Sequence, residues 1–469
     1  MSTPLTRRDA LKGVVGLAAL GAGVSLSAPK PASAAGRDRV AIIGAGAGGV
    51  AAAYFLAGTF DVDVFEARSR IGGHCDSRTI DYQGQPVTVD LGAQFFHPDT
   101  HPLYVTLLDD VGLAGEAHAA PGSLSVFPVA GGRLRFSSTN PFVTLPNAIG
   151  FAAFTQLARR AVRGGMSWDT TVDQWIRRQP LDPSFKSQVL YPWITATIGC
   201  SRAEAAQASA RSILQTFALA FPANPLNGAS TYNSKIGLQG NLQRLLDRAP
   251  TARVHLDAPT QGLAREGDDW FLQTPAGRQG PYRYVVLNAP PRVGRELLRP
   301  LPAFGDVTAQ LDKYEYFDSR LLIHRDPVYA HPKRRYWAAY NAGVDGLECE
   351  GSAWVGALHD RLPSGAPIDV FKSWAQRRRD EPQQVLLERR FQHPLINARA
   401  LSAARALRPL QGRSGLYFSG TYTTGTDLQE TAVYSAMKVA EAIAPSSPTL
   451  ASLQARMTAK GIRNISYDL

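Results

Sequence analysis

The chain has 469 residues, 44% of them hydrophobic, and a formal net charge of +11; that supports the core of one large or two ordinary domains. Three cysteines, Cys75, Cys200 and Cys349, are too few and too widely spaced for a disulfide scaffold or a zinc site. The positive charge is dispersed, and its densest run, Arg377–Arg379, is followed at once by Asp380 and Glu381, which reads as a solvated helix face and not as a nucleic-acid module.

At the N-terminus, paired Arg7 and Arg8 precede an apolar run over about 13–28, which is short for a membrane span, and then the small residues Pro31-Ala32-Ser33-Ala34. This pattern predicts a twin-arginine signal over 1–34, cleaved after about Ala34, with export to the periplasm or the medium. The alternative is an uncleaved anchor. The twin-arginine machinery, which carries folded proteins, is then a transient partner, and the mature chain has no transmembrane segment.

The first element of the mature chain is Val40–Ile43, an unbroken apolar run expected of a buried parallel strand. It ends in Gly44-Ala45-Gly46-Ala47-Gly48-Gly49, which contains G-x-G-x-x-G, and an alanine-rich helix follows to Ala57. Gly44 permits the tight turn, Gly46 lets amides approach a pyrophosphate, and Gly49 brings helix and strand together. The helix N-terminus faces the phosphates. A second strand, Asp61–Phe65, ends at Glu66, where a carboxylate can accept both ribose hydroxyls. Strand, turn, helix, strand and acid in this order predict a site for NAD or FAD. The acid disfavours a 2′-phosphate.

Glu66-Ala67-Arg68-Ser69-Arg70-Ile71-Gly72-Gly73-His74 resembles the E-x-x-x-R-x-G-G motif of the flavin amine oxidase superfamily. That superfamily includes amine oxidases, protoporphyrinogen oxidases, carotenoid desaturases and fatty-acid isomerases. The resemblance implies FAD, with Ala67, Arg70, Gly72, Gly73 and His74 contacting or supporting it. Arg68 is either a cofactor residue or an ion-pair partner. Val89–Phe96 resembles the superfamily's D-x-G-A segment, which would lay Gly92, Ala93, Gln94 and Phe95 against the isoalloxazine ring. Ala252–Leu256, a polar hairpin around Asp268, and Tyr284–Pro291 resemble its returning strands, with the Val254 backbone at the adenine. Gly415–Thr421 and the helix from Leu428 to about Ile443 resemble its C-terminal segment, implying cofactor contacts from Gly420, Thr421, Glu430, Thr431 and Ala432. Two departures are Thr421, where relatives often carry an acid, and Thr431-Ala432, where they often carry Gly-Ala.

The remaining segments, 111–229 and 301–404, predict a substrate domain. Phe151–Val162 and Ala203–Phe217 have helical periodicity, and Tyr191–Gly199 is apolar and aromatic. His324-Arg325-Asp326 with Trp337-Ala338-Ala339-Tyr340-Asn341 resembles an H-x-D…W-x-x-x-N pattern of oxidoreductases linked to fatty-acid modification. It implies a lipid-like or polyene substrate, unless His324 and Asp326 serve the sheet's own structure. Amine oxidases place a lysine near flavin N5, on the strand that would contain Ser319–Leu322, and no lysine stands there. Lys235 and Lys313 are possible substitutes, and His97 is the candidate titratable group for catalysis.

The expected fold is α/β, an FAD-binding Rossmann-type domain (37–110, 230–300 and 405–445) with a discontinuous mixed α+β substrate domain and a C-terminal tail over 446–469. The expected function is an exported FAD-dependent oxidoreductase that passes hydride from a small or lipid-like organic substrate to flavin N5. The rivals are an amine or amino-acid oxidase and a non-catalytic flavin-binding protein. Neither a metal nor a nucleic acid is expected.

Overall fold

The run Val40–Ile43 is apolar throughout because its strand, Arg39–Ile43, is buried on both faces at the centre of a five-stranded sheet. This is seen in a computed structural model that describes residues 37–224, 227–463 and 465–469. The expected signal segment lies outside the described residues.

The sheet strands lie in the order Leu416–Phe418, Tyr284–Leu287, Arg39–Ile43, Asp61–Phe65, Ala252–His255, and all are parallel. In chain order that is a doubly wound arrangement, which reverses between Arg39–Ile43 and Tyr284–Leu287. Alternation sends Val40 and Ile42 to one face and Ala41 and Ile43 to the other. On the first face pack the helices Ala47–Leu56, Gln429–Ile443 and Gly237–Asp247. On the second pack Pro291–Leu298, Gly305–Leu311 and Ala398–Leu407, whose Leu297, Val307 and Leu407 share a core with Val285, Leu287 and Phe418. Segments near 305 and 400 therefore build the nucleotide-binding layer. The last 24 residues include a helix, Pro448–Ala459, that buries Leu450 and Leu453 in the first core.

A second sheet has seven strands in the order Val385–Pro394, Tyr316–His324, Phe371–Trp374, Glu348–Trp354, Tyr340–Asp345, Leu124–Pro128, Phe136–Ser137. Helices Leu145–Arg163, Tyr191–Ile198 and Ala210–Phe217 cover part of it, around an aromatic cluster of Phe151, Phe154, Trp193, Phe217 and Phe221. The helical span expected over Ala203–Phe217 is two helices, Arg202–Gln207 and Ala210–Phe217. Ser209 breaks it by accepting the Ser212 amide as an N-cap.

One expectation fails in part. Arg379, Asp380 and Glu381 are exposed, but Arg377–Arg379 lie in an irregular segment and not on a helix, and Arg378 is not solvated. Arg378 is buried beside Glu350, donates to the Glu350 carbonyl at 2.7 Å and lies over the Tyr329 ring. The run looks solvated in sequence because its carboxylate partner is 28 residues away. Among the described residues, no helix is long and apolar enough to cross a membrane.

Candidate active site

The glycine-rich turn sits at the carboxyl end of the central strand, where the sheet order reverses. Gly44 takes φ +101°, and its amide donates to the Phe65 carbonyl at 2.8 Å. Gly49 is required for a different reason. A Cβ there would overlap the Gly44 carbonyl oxygen, so the helix could not start this close to the strand. Ala47 and Gly48 open that helix, and no side chain caps it, so its first amides are left for a ligand.

Four other segments close on this turn. The Gly72 amide donates to the Ala45 carbonyl at 2.7 Å, and Gly73 lies against Gly46. Arg70 braces that second loop by donating to the Ile71 and Gly73 carbonyls, both at 3.0 Å, and pairs with the fully buried Asp76. After the strand Tyr284–Leu287, the Asn288 amide group donates to the Gly44 carbonyl at 3.0 Å. After the strand Leu416–Phe418, Gly420 approaches Gly48, and its amide donates to Ser435 Oγ at 2.7 Å. Glu66, at the end of the second strand, is only 8% exposed and accepts from the Ala45 and Arg68 amides at 2.8 and 2.9 Å. Ala67 and Arg68 are exposed beside it, and Val254 pairs with Val64 at the sheet's edge.

The segment after Asp90 continues the site. The Ala93 amide donates to the His74 carbonyl at 2.9 Å, and a Cβ at Gly92 would overlap that same oxygen. Gln94 Oε1 is buried without a hydrogen-bond partner. Gln429, opening the C-terminal helix, donates to the Phe95 carbonyl at 3.1 Å. Uncapped helix amides, glycines pressed backbone to backbone, a carboxylate after the second strand and an orphaned amide oxygen together fit a dinucleotide cofactor.

Over this site lies one face of the second sheet. Strand register puts Leu321 and Ile323 beside Trp374 and Lys372 on one side, and Phe317, Ser319 and Leu321 beside His393, Phe391 and Arg389 on the other. Lys372 Nζ donates to the Gly92 carbonyl, Arg389 pairs with Asp76 at 2.9 Å, and the His393 ring stacks on His74 at 4.7 Å. Burial pulls the Lys372 ammonium down to about 8, with the Asp90 charge acting in the opposite direction. Burial likewise pushes Asp90 up to about 6. His74 falls to about 4 through burial and the neighbouring His393. Asp427 sits below its usual value because, although burial raises it, the hydrogen bond from His393 and nearby charge outweigh that. A cleft of about 390 Å³ runs between the two layers, lined by Arg68, His74, Pro290, Arg292, Ser319 and Phe391.

Some residues singled out in sequence have their side chains committed elsewhere. Glu430 is fully buried and accepts from the Leu103 and Tyr104 amides, at 3.0 and 2.6 Å, and from the Tyr467 hydroxyl at 2.9 Å. It closes the N-terminus of the helix Pro102–Asp110, so only its backbone can serve a cofactor. Thr431 Oγ1 donates to the Thr426 carbonyl at 2.6 Å, and Ala432 is buried in the same turn. Thr421 opens a short 3-10 turn after Gly420. His97 is half-buried, lies 3.2 Å from Ser230 Oγ and accepts the Asp99 amide. His324 is fully buried between the Asp326 carbonyl and Ser373 Oγ, both at 2.8 Å, and Asn341 bonds the Ala338 backbone. The H-x-D…N pattern here serves the sheet.

Sequence reasoning missed Lys372 and Asn288. Lys372 comes from the strand antiparallel to Tyr316–His324, so no linear spacing marks it. Asn288 follows the apolar run Tyr284–Leu287, yet its amide acquires meaning only once segments 244 residues apart are neighbours.

Comparison with known proteins agrees with this geometry. No curated protein matches the chain. Among solved structures of similar fold are a CLA-producing fatty acid isomerase from P. acnes (TM-score 0.62, 14% identity) and cyclohexylamine oxidase from Brevibacterium oxydans IH-35A (TM-score 0.57, 16% identity). Putrescine oxidase bound to putrescine is also similar, at a TM-score of 0.55 and 15% identity. Each comparison covers 87% of this chain and 99% of the other. The family model described as flavin containing amine oxidoreductase matches residues 47–319, more than half of the chain and the span that runs from the glycine-rich turn into the second sheet. The protein therefore belongs to the flavin-containing amine oxidoreductases, and its cofactor is a flavin.

Proposed function

We propose that this flavin enzyme binds FAD, is exported by the twin-arginine route, and removes hydride from a C–H bond of an apolar, lipid-like substrate. The observation that carries the substrate class is the sheet face shared by Phe317, Trp374, Phe391 and His393, which meets the cofactor loops through Lys372 at Gly92, Arg389 at Asp76 and His393 at His74. FAD is supported by Glu66, at the place where a dinucleotide presents its adenosine ribose. When bound, the flavin supplies a two-electron acceptor.

The chain's own part is to bind, orient and exclude water. The amides of Ala47–Gly49 hold the pyrophosphate, and the N-terminal end of the helix Gln429–Ile443 favours negative charge beside it. The aromatic side chains of that sheet face, Phe317, Trp374 and Phe391, hold a C–H bond in position and keep water away from it. Lys372 Nζ holds a proton at the Gly92 carbonyl and releases it as pH rises through about 8.

That lysine favours a second reading, amine oxidation, because a neutral amine at Nζ could take the proton of an ammonium substrate. Anaerobic mixing with unsaturated fatty acids and with amines, followed by flavin absorbance, separates the readings. Bleaching or double-bond rearrangement with lipids alone supports the first, and bleaching with amines, with peroxide on adding oxygen, supports the second. A protein that no substrate bleaches is a flavin binder without turnover, and one that purifies colourless and takes up no FAD ends both. N-terminal sequencing of the exported protein tests the signal, with a start near Ala35 expected.

A further inference from the structure

The helix Leu145–Arg163 and the short 3-10 turn before it, Pro141–Thr144, expose apolar side chains to water. Phe142 is 82% exposed, Ile149 62%, Leu145 47% and Val143 40%. Scattered exposed apolar residues need no explanation, but four within eight positions form a patch. On the helix, Leu145, Ile149, Ala153, Arg160 and Arg163 fall on one narrow stripe at 100° per residue, and all five are exposed. The stripe is apolar over its first half and basic at its end. The opposite face is spent on the core, where Phe154 and Ala158 are fully buried.

Charge says what this stripe fits. From Ala117 to Trp168 there is no aspartate or glutamate, whereas Arg133, Arg135, Arg159, Arg160 and Arg163 all lie in that span. Arg159 is used internally, donating to the Leu219 carbonyl at 2.9 Å. Arg133, Arg160 and Arg163 are exposed. Arg135 borders the patch directly, because Asn147, in the first turn of the helix, donates to its carbonyl at 2.6 Å. An apolar surface flanked by arginines and free of carboxylates along its own segment has the chemistry of an interfacial membrane element.

We propose that this face docks the enzyme on a bilayer rich in anionic lipid. Phe142, Leu145 and Ile149 enter the acyl boundary, and Arg133, Arg160 and Arg163 meet the headgroup phosphates. The inference is independent of the substrate reading, since it concerns where the enzyme sits and not what it oxidises.

The test is sedimentation of the full, flavin-loaded chain with phosphatidylcholine vesicles that either contain or lack about a third phosphatidylglycerol. Wild type should pellet with the anionic vesicles and much less with the neutral ones. Phe142→Asp with Ile149→Asp should weaken binding about tenfold or more, and Arg160→Glu with Arg163→Glu should do the same and remove its salt sensitivity. Leu347→Asp, at an apolar residue 76% exposed elsewhere, should change nothing. The apolar N-terminal run is common to all variants, so differences between them read the patch, and flavin absorbance and melting temperature check their folding. Equal binding by wild type and the Phe142/Ile149 variant overturns the proposal. So does a wild-type dimer that the same variant makes monomeric, which would assign the face to a second copy.

Discussion

Replacing Lys372 by methionine should change how stability depends on pH, by an amount the structure sets. Burial lowers the ammonium from 10.5 in the unfolded chain to about 8 in the fold. The shift of roughly 2.5 units corresponds to about 3 kcal/mol at 1.36 kcal/mol per unit. The folded state binds this proton more weakly than the unfolded state does, so wild-type stability rises with pH between about 8 and 10.5. Below pH 8 both states are protonated and the cost is fully present. By pH 9.5 about 2 kcal/mol of it is relieved. Lys372→Met escapes the cost but leaves the Gly92 carbonyl without its donor, a loss of about 1–3 kcal/mol. Near pH 7 the two effects roughly cancel, and by pH 9.5 the variant should be less stable than wild type by about 2 kcal/mol more than at pH 7. Urea unfolding of both proteins at matched flavin saturation, from pH 7 to 9.5, measures this. Parallel stability profiles would refute the burial of a charged Lys372.

Three further outcomes follow from the geometry. Gly49→Ala places a methyl group onto the Gly44 carbonyl, so the protein should purify with at least about tenfold less flavin, read as absorbance per chain. Arg70→Lys cannot reproduce the fork that holds the Ile71 and Gly73 carbonyls, and flavin affinity by titration of the stripped protein should fall about tenfold. Glu430→Ala strands three buried donors, the Leu103 and Tyr104 amides and the Tyr467 hydroxyl, and should cost at least about 3 kcal/mol in urea unfolding, whereas Tyr467→Phe should cost about 1 kcal/mol.

The cofactor half was largely legible because its requirements are local. An apolar run, three glycines at set offsets and an acid after the next strand each state a backbone need that few other residues meet, and all appear within 28 residues of one another. The segments that close on the turn, around Gly72, Gly92 and Gly420, were found by resemblance, and the structure brings all three to the same place. Side-chain roles were less legible. Glu430 has the look of a cofactor residue until the helix beginning at Pro102 is folded against it. His324 and Asp326 resemble part of a substrate-linked motif, yet a buried histidine held between a backbone carbonyl and a serine hydroxyl is equally a way to satisfy a sheet's interior. Lys372 is recognisable only through strand pairing, which is a property of the sheet and not of any window of sequence.

The five-stranded sheet also constrains how the protein is made. Its middle strand leaves the ribosome first and its outer strand, Leu416–Phe418, nearly last, with Ser435 needed to position Gly420. At ribosomal rates of about 5–20 residues per second, the glycine-rich turn exists for roughly 20–80 s before its last partner is available. Throughout that interval the nascent chain has part of a nucleotide pocket and cannot close it. Closing the cofactor site therefore joins segments almost 400 residues apart, and a product truncated before Leu416 should purify with little flavin. Yellow colour in this protein is then a readout of synthesis at least as far as Ser435.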